Sequence, residues 1–348
     1  MSAKESCTRP AYAVKDCCSP YKLLHHGELI QAVKRGEAAP PAQVTFGITN
    51  ICNHRCPYCY PKGRYAERDR AQMDTSRTLA LLDEISDMGV KVIQITGAGE
   101  PSIHPGFREI VKKADRTGLR SGFVMNGSGL SLSDVDLFGC ADWIRFSVDA
   151  ATGATYERIH GADSFHKVLS LIESLATRWP NALIGMSFVV TPDNYHEIFD
   201  AACLARSSGC KLIRYIPVHT AGGIHIFEGI WDRCRELVEQ ASTLDTPAFH
   251  VSAQMDRFFF RRNTEKNFSR CYYQHFSTYI GADGSLYPCC LLQGARPLGS
   301  LHDRSLRDLW HGRTPIGIDE CTAVCSFTRQ NELMEYLMQE KPLHVEYV

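Results

Sequence analysis

The sequence predicts an α/β fold: a partial (β/α)6 TIM-like barrel followed by a small C-terminal domain rich in cysteine. Two observations predict it. From about residue 43, short β-rich runs alternate six times with helical periodicity, the pattern of a parallel sheet wound with helices, and six units are too few for a closed eight-unit barrel. Past about residue 250 that rhythm stops, and cysteines and a glycine turn take over.

The strands come first. QVTFGIT (43–49), KVIQITG (91–97), LRSGFVM (119–125), DWIRFSVDA (142–150), ALIGMSFVV (182–190) and KLIRYIPV (211–218) are runs of β-branched and aromatic residues. Between them, Thr75 to Met88 offers Leu79, Leu82 and Ile85 on one helical face. Ser164 to Trp179 offers Val168, Leu171, Ile172 and Leu175, and Asn194 to Ser208 is amphipathic too. A further helix is expected over Gly229 to Ser242. Then STYIGADGSLYPCC places two β runs around Asp283-Gly284, a strong hairpin signal, ahead of a short helix SLRDLWHG and a helical tail. This divides the chain into an N-terminal extension (1–42), a barrel (43–250), a small metal-held domain (251–330) and a tail (331–348).

The totals exclude several classes. Of 348 residues, 44% are hydrophobic and 22% charged, an ordinary globular balance, and the net charge of −1 sets up no field for nucleic acid or an acidic membrane. No apolar stretch approaches the roughly 20 residues of a spanning helix, and the N-terminus lacks the apolar core of a secretory signal. A cytoplasmic protein is expected. In a reducing compartment its 15 cysteines read as metal ligands or thiols rather than disulfides, with Cys140 and Cys203 as small core residues.

The unusual residues fall at strand C-termini, the mouth where barrel chemistry sits. Cys52, Cys56 and Cys59 form a C-x3-C-x2-C row after the first strand, Gly97-Ala98-Gly99-Glu100-Pro101 follows the second, and Ser147 and Asp149 end the fourth. Three thiolates on a four-iron cluster leave one iron open to a chelating molecule. With Tyr58 before Cys59, the row resembles the C-x3-C-x-aromatic-C signature of the radical S-adenosylmethionine (SAM) enzymes. The resemblance implies that SAM chelates the open iron and is cleaved by one electron, drawn from a donor such as flavodoxin or ferredoxin. The resulting 5′-deoxyadenosyl radical takes a hydrogen atom from the substrate. It further implies SAM contacts from Tyr58, Gly97, Gly99, Glu100, Asn126, Ser147, Asp149, Arg158 and Asn194; Ala98 departs from the family's second glycine, and Tyr58 could serve packing alone. A zinc site completed by one of the 14 histidines is the competing reading of the bare row.

Cys271, Gly284 and Cys289 resemble the opening of the SPASM and twitch auxiliary-cluster domains. Cys271, Cys289, Cys321 and Cys325 are the implied ligands of a second [4Fe-4S] cluster, with a zinc ribbon as alternative. Cys290 is spare: a swapped ligand, a buried thiol or a hydrogen-atom donor. The expected reaction is oxidation or epimerisation of a small polar, sugar- or aminocyclitol-like molecule in natural-product biosynthesis. The alternative is modification of a ribosomal peptide or protein, and the outsider is a zinc-stabilised binding protein without catalysis. Arg214, Tyr215 and His219 are candidate substrate-side residues on or after the sixth strand, with His196 and His275 ambiguous.

Overall fold

In the computed structural model, described over residues 19–59, 70–218, 225–253, 266–322 and 325–339, the strands form one twisted sheet. Six are those expected: β1 (Gln43–Gly47), β2 (Val92–Thr96), β3 (Arg120–Met125), β4 (Ala141–Ser147), β5 (Leu183–Val190) and β6 (Leu212–Pro217). They pair in sequence order, all parallel. A seventh parallel strand, β7 (His250–Ala253), lies beyond β6, its four residues too short to show a period. β8 (Ser277–Ile280) joins the opposite edge, parallel to β1, and leads into the antiparallel strands β9 (Ser285–Tyr287) and β10 (Gly299–Ser300). The expected Asp283-Gly284 hairpin is therefore built directly onto the barrel sheet. Gly284 takes a left-handed φ of 73°, and Asp283 Oδ1 accepts from the Ser285 amide.

The helices are α1 (Gly27–Lys34), α2 (Thr75–Asp87), α3 (Phe107–Arg116), α4 (Gly153–His160), α5 (Phe165–Arg178), α6 (Ile198–Ser207), α7 (Trp231–Ser242), α8 (Leu306–Gly312) and α9 (Thr328–Leu337). Asp74 caps α2 by accepting from the Ser76 and Arg77 amides. The face that α2 buries is Thr78, Leu81, Leu82 and Ile85, with Leu79 at its margin rather than its centre. α5 buries the four residues expected of it.

Strand alternation separates two environments. Ile93, Ile95, Phe123, Ile144, Phe146, Met186 and Phe188 are buried under the helices. The other face carries Gln43, Thr45, Gln94, Trp143, Arg145 and Ser147, and Gln43 bonds Thr45 and Gln94 across β1 and β2. A polar inner face beside an apolar outer one leaves the interior suited to a polar ligand. The C-terminal part is anchored outside the barrel as well. Glu84 of α2 accepts the Leu306 amide of α8, Arg77 donates to the Leu301 carbonyl, and buried Trp310 donates to the Ala39 carbonyl. Leu23, Leu29, Ile30 and Val33 form a second core with Tyr272, Phe276 and Met334.

Candidate active site and the two cysteine centres

The cysteine row lies in an irregular loop after β1, so its position is set from outside. The GAGEP turn packs its backbone directly on it. A Cβ on Gly99 would stand 2.1 Å from the Ile51 carbonyl oxygen, and one on Gly97 2.8 Å from that of Thr49. The amides of Gly99 and Glu100 donate to these two carbonyls, of Thr49 and Ile51 respectively. Glycine is required here for close approach of two backbones.

Glu100, buried, accepts from the amides of Asn126 (2.6 Å), Ser102 (3.1 Å) and Gly127 (3.4 Å) and from the Ser102 hydroxyl. Burial raises its pKa, and these donors oppose the shift. Its side chain thus ties the end of β2 to the end of β3. Asn126 continues the link: its Nδ2 donates to Asn53 Oδ1 inside the cysteine row, and Asn53 donates in turn to Ser128 Oγ at 2.7 Å.

Asp149 anchors the other end of the loop. It is the one non-glycine residue with positive φ (57°) among the described residues, and it is buried. Its carboxylate accepts from the Tyr58 hydroxyl and the Val189 amide, both at 2.6 Å, and lies 3.2 Å from His160 Nε2. Asn194 donates to the carbonyls of Asp149 and Val189 and accepts from Thr191, fully buried. Glu197 accepts from Ala151, Thr152 and Thr155.

Expected cofactor residues therefore divide by environment. The side chains of Glu100, Asn126, Asp149 and Asn194 are engaged in holding loops. Ser147 is half-buried on the inner face, level with Ser187 of β5 and, one strand further, Arg214 of β6. Arg158 is exposed on α4, donating to Thr155 Oγ1 and the Asp193 carbonyl. From α4, His160 meets the cysteine loop: its Nδ1 lies 3.5 Å from Cys56 Sγ and 3.2 Å from His54 Nδ1, and its carbonyl accepts the Arg55 amide. Tyr215 points the other way, its hydroxyl donating to the Ile198 carbonyl under α6, because it alternates with Arg214. His219 lies outside the described residues. Asn53, His54, Ser128, His160 and Glu197 had no motif to announce them, though two of them stand inside the cysteine row.

The second centre gathers thiols from distant segments. Burial pushes Cys271 up to about 12, with Cys325 and Cys321 adding to the shift. Cys289 is raised by burial and by Cys290, Cys271 and Cys321, and Cys325 by burial and Cys321. Cys271, Cys289 and Cys325 are thus each close enough to Cys321 to feel its charge. Cys290, next to Cys289, is exposed at the start of a one-turn helix. Cys52 is exposed in the loop, yet the protein packed around its sulfur pushes its pKa up to about 11, with Glu100, Cys56 and Cys59 adding to the shift. Ligation by any of these thiols would release a proton.

Neither cysteine set is drawn together as the ligands of a single zinc ion would be. Four sulfurs around one zinc at ~2.3 Å would sit within about 4 Å of each other. Among the described residues the only compact set of candidate ligand atoms, within 4.8 Å of one another, is His54, Cys56 and His160, and no trio of cysteines is that tight. No helix among the described residues is long and apolar enough to cross a membrane.

Comparison with known proteins gives the same two parts. Residues 46–204 match the radical SAM superfamily, and residues 271–325 match an iron-sulfur cluster-binding domain, SPASM. Mycofactocin maturase MftC of Mycobacterium tuberculosis is 28% identical over 186 residues, 53% of this chain and 46% of MftC. A probable GTP 3',8-cyclase of Saccharolobus islandicus is 28% identical over 187 residues, 53% of this chain and 59% of that protein. The chain spans about half the length of the curated relatives it matches. Streptococcus suis SuiB superimposes with a TM-score of 0.64 at 15% identity, covering 84% of this chain and 71% of SuiB.

Proposed function

This chain belongs to the radical SAM superfamily, as an enzyme with a C-terminal SPASM-type iron–sulfur domain, and we propose that it modifies a peptide or protein substrate in a biosynthetic pathway. Membership implies SAM and iron–sulfur binding. Its division into two four-iron centres, at Cys52, Cys56 and Cys59 and at Cys271, Cys289, Cys321 and Cys325, is part of the proposal. The observation that carries the substrate class is a maturase among the sequence relatives, together with a similar fold, SuiB, solved with its precursor peptide SuiA (TM-score 0.63). This favours the peptide alternative over the sugar-like substrate expected from the sequence. The cyclase relative supports a second reading, a small nucleotide-like substrate.

When bound, a cluster at Cys52, Cys56 and Cys59 would supply the electron that cleaves SAM, and the SAM-derived radical, not the cluster, would take the hydrogen atom, with flavodoxin or ferredoxin as the proposed electron source. The protein's own part is positioning. Gly97 and Gly99 let the GAGEP backbone reach the cysteine loop, and Glu100 and Asn126 fix the β3 turn against it. Asp149 and Asn194 hold the β4 and β5 ends, Tyr58 is tethered to Asp149, and Ser147 presents its hydroxyl on the inner face. Arg158 braces the loop after β5. Cys290, exposed beside Cys289, is the thiol through which a substrate radical would be quenched if the net reaction were epimerisation.

The test is anaerobic incubation of reconstituted enzyme and SAM with candidate precursor peptides and, in parallel, with nucleotides and sugars, scored for substrate-dependent 5′-deoxyadenosine. Peptide-dependent formation with a mass change in the peptide is expected. Formation only with small metabolites would overturn the peptide reading. Running the productive reaction in deuterium oxide separates the outcomes: a product two hydrogens lighter without carbon-bound deuterium is oxidation. One deuterium at carbon, lost in Cys290→Ala, is epimerisation.

A further inference from the structure

Asn331 lies on α9, and its side chain is wholly buried beside the second cysteine centre. Its Oδ1 accepts from two consecutive backbone amides, those of Tyr272 (2.8 Å) and Tyr273 (2.9 Å), directly after Cys271. Its Nδ2 lies 3.8 Å from Cys325 Sγ, within reach of a hydrogen bond to sulfur. The amide orientation follows from the donors around it. Two N–H groups converge on one end, so the oxygen must be there and the NH2 must face the sulfur. A flipped amide would set donor against donor in a buried site, at the cost of an unmade hydrogen bond on each side.

The rest of the neighbourhood shows how built this contact is. The Phe327 amide donates to the same sulfur at 3.3 Å, and Thr328 Oγ1 donates to the Cys325 carbonyl. Phe327 stacks on Tyr273 with ring centroids 3.6 Å apart, and Gln274 bonds the Cys271 carbonyl and both the amide and carbonyl of Ile316. Cys325 Sγ therefore takes two N–H donors. A thiolate that accepts hydrogen bonds is a weaker electron donor to its metal, and an added electron on the centre is stabilised by the same dipoles.

We propose that Asn331 is a positioning residue of the auxiliary centre that, through its side-chain N–H to Cys325 Sγ, raises that centre's reduction potential while its oxygen fixes the Cys271 loop. This rests on the reading that Cys271, Cys289, Cys321 and Cys325 hold an iron–sulfur cluster. A purely structural asparagine would hold the loop without moving the potential.

The experiment uses the full chain carrying Cys52→Ala, Cys56→Ala and Cys59→Ala, so that the auxiliary centre gives the only cluster signal. Iron and sulfide content is measured first; absence of both in this background would overturn the cluster reading, and the proposal with it. With the cluster present, the midpoint potential is followed by electron paramagnetic resonance and the Fe–S stretching bands by resonance Raman in water and deuterium oxide. Asn331→Leu, neutral and similar in size, removes the donor. The potential is expected to fall by an amount equal to at least a tenfold change in the reduced-to-oxidised ratio, about 59 mV for one electron. The deuterium sensitivity of the Fe–S(Cys) bands should shrink, with a remainder from the Phe327 amide. If the leucine variant fails to load, Asn331→Asp keeps the acceptor for Tyr272 and Tyr273 but offers no amide donor. There the deuterium sensitivity decides, because the new charge moves the potential by itself. A loaded variant with unchanged deuterium sensitivity, or a loaded leucine variant with unchanged potential, would overturn the role assigned to Asn331.

Discussion

The two cysteine centres are assembled by opposite means. The first takes three thiols from eight consecutive residues of one loop, so little chain entropy is lost in bringing them together. That loop cannot fix its own place in the molecule. Backbone from the GAGEP turn, side chains from the β3 and β4 ends and the carbonyl of His160 all reach in to hold it. The proposed second centre would take four thiols spread over residues 271–325, and the fold brings their segments together: a hairpin on the sheet edge, a helix docked on α2 and two buried amides, Gln274 and Asn331. A loop held from outside leaves one side accessible for a cofactor to complete the coordination. Ligands gathered by the fold suit a closed, fully ligated site.

The largest effects should come from emptying each centre alone. Replacing Cys52, Cys56 and Cys59 by alanine is expected to abolish SAM cleavage while keeping about half of roughly eight irons, and replacing Cys271 and Cys325 should remove the other half. Iron and sulfide analysis of reconstituted protein checks this. Loss of all iron in either variant would mean that the centres are not independent, and one tight zinc per chain without iron would remove the cluster reading altogether. Next in size is Gly99→Ala. With its Cβ 2.1 Å from the Ile51 carbonyl oxygen, the GAGEP turn and the cysteine loop must separate, at about 1–3 kcal/mol for an overpacked contact. SAM affinity, read by titrating the reduced cluster signal, should fall sharply while auxiliary iron is retained. Unimpaired SAM binding would show that this backbone contact does not position the loop. Glu100→Gln sets an NH2 against backbone donors and is expected to weaken SAM binding on the order of 1–3 kcal/mol, with Ser147→Ala in the same range. An unchanged titration in the glutamine variant would refute the bracing role of Glu100.

How much of this was legible in the sequence follows from the same contrast. The barrel strands and the hairpin read directly, because hydrophobic period and Asp-Gly chemistry are local. The cysteine row and GAGEP were visible because their residues are contiguous. What stayed hidden is the bracing: His160, Asn53 and Glu197 are ordinary residues until the fold sets them against Cys56, Asn126 and Thr155. Glu100 and Asp149 are expected to contact the cofactor, and in the structure their side chains serve the loops, a distinction that depends on which donors surround a buried carboxylate. β7 was too short for its period to register, and that β8 continues the barrel sheet is a pairing across more than 200 residues that no local pattern encodes.

The smallest effect concerns acid, and it bears on the second centre. His275 follows Cys271 by four residues, and burial lowers its pKa to about 4, helped by Arg313 and Arg270. In the unfolded chain the same imidazole titrates near 6.5. Between those values the unfolded state binds the proton that the folded state refuses, so folding stability falls as pH drops from about 6.5 toward 4. Above that window the group contributes no slope. His275→Gln, neutral throughout, should lose less stability than wild type between pH 7 and pH 5, whatever the offset between the two proteins at pH 7. Urea unfolding of the cluster-free chain at both pH values measures this as a difference of differences. Equal losses would mean that His275 keeps an ordinary pKa and that acid acts on other groups. A smaller loss in the variant would locate part of the acid sensitivity in the centre that the fold must assemble, rather than in the loop that it holds.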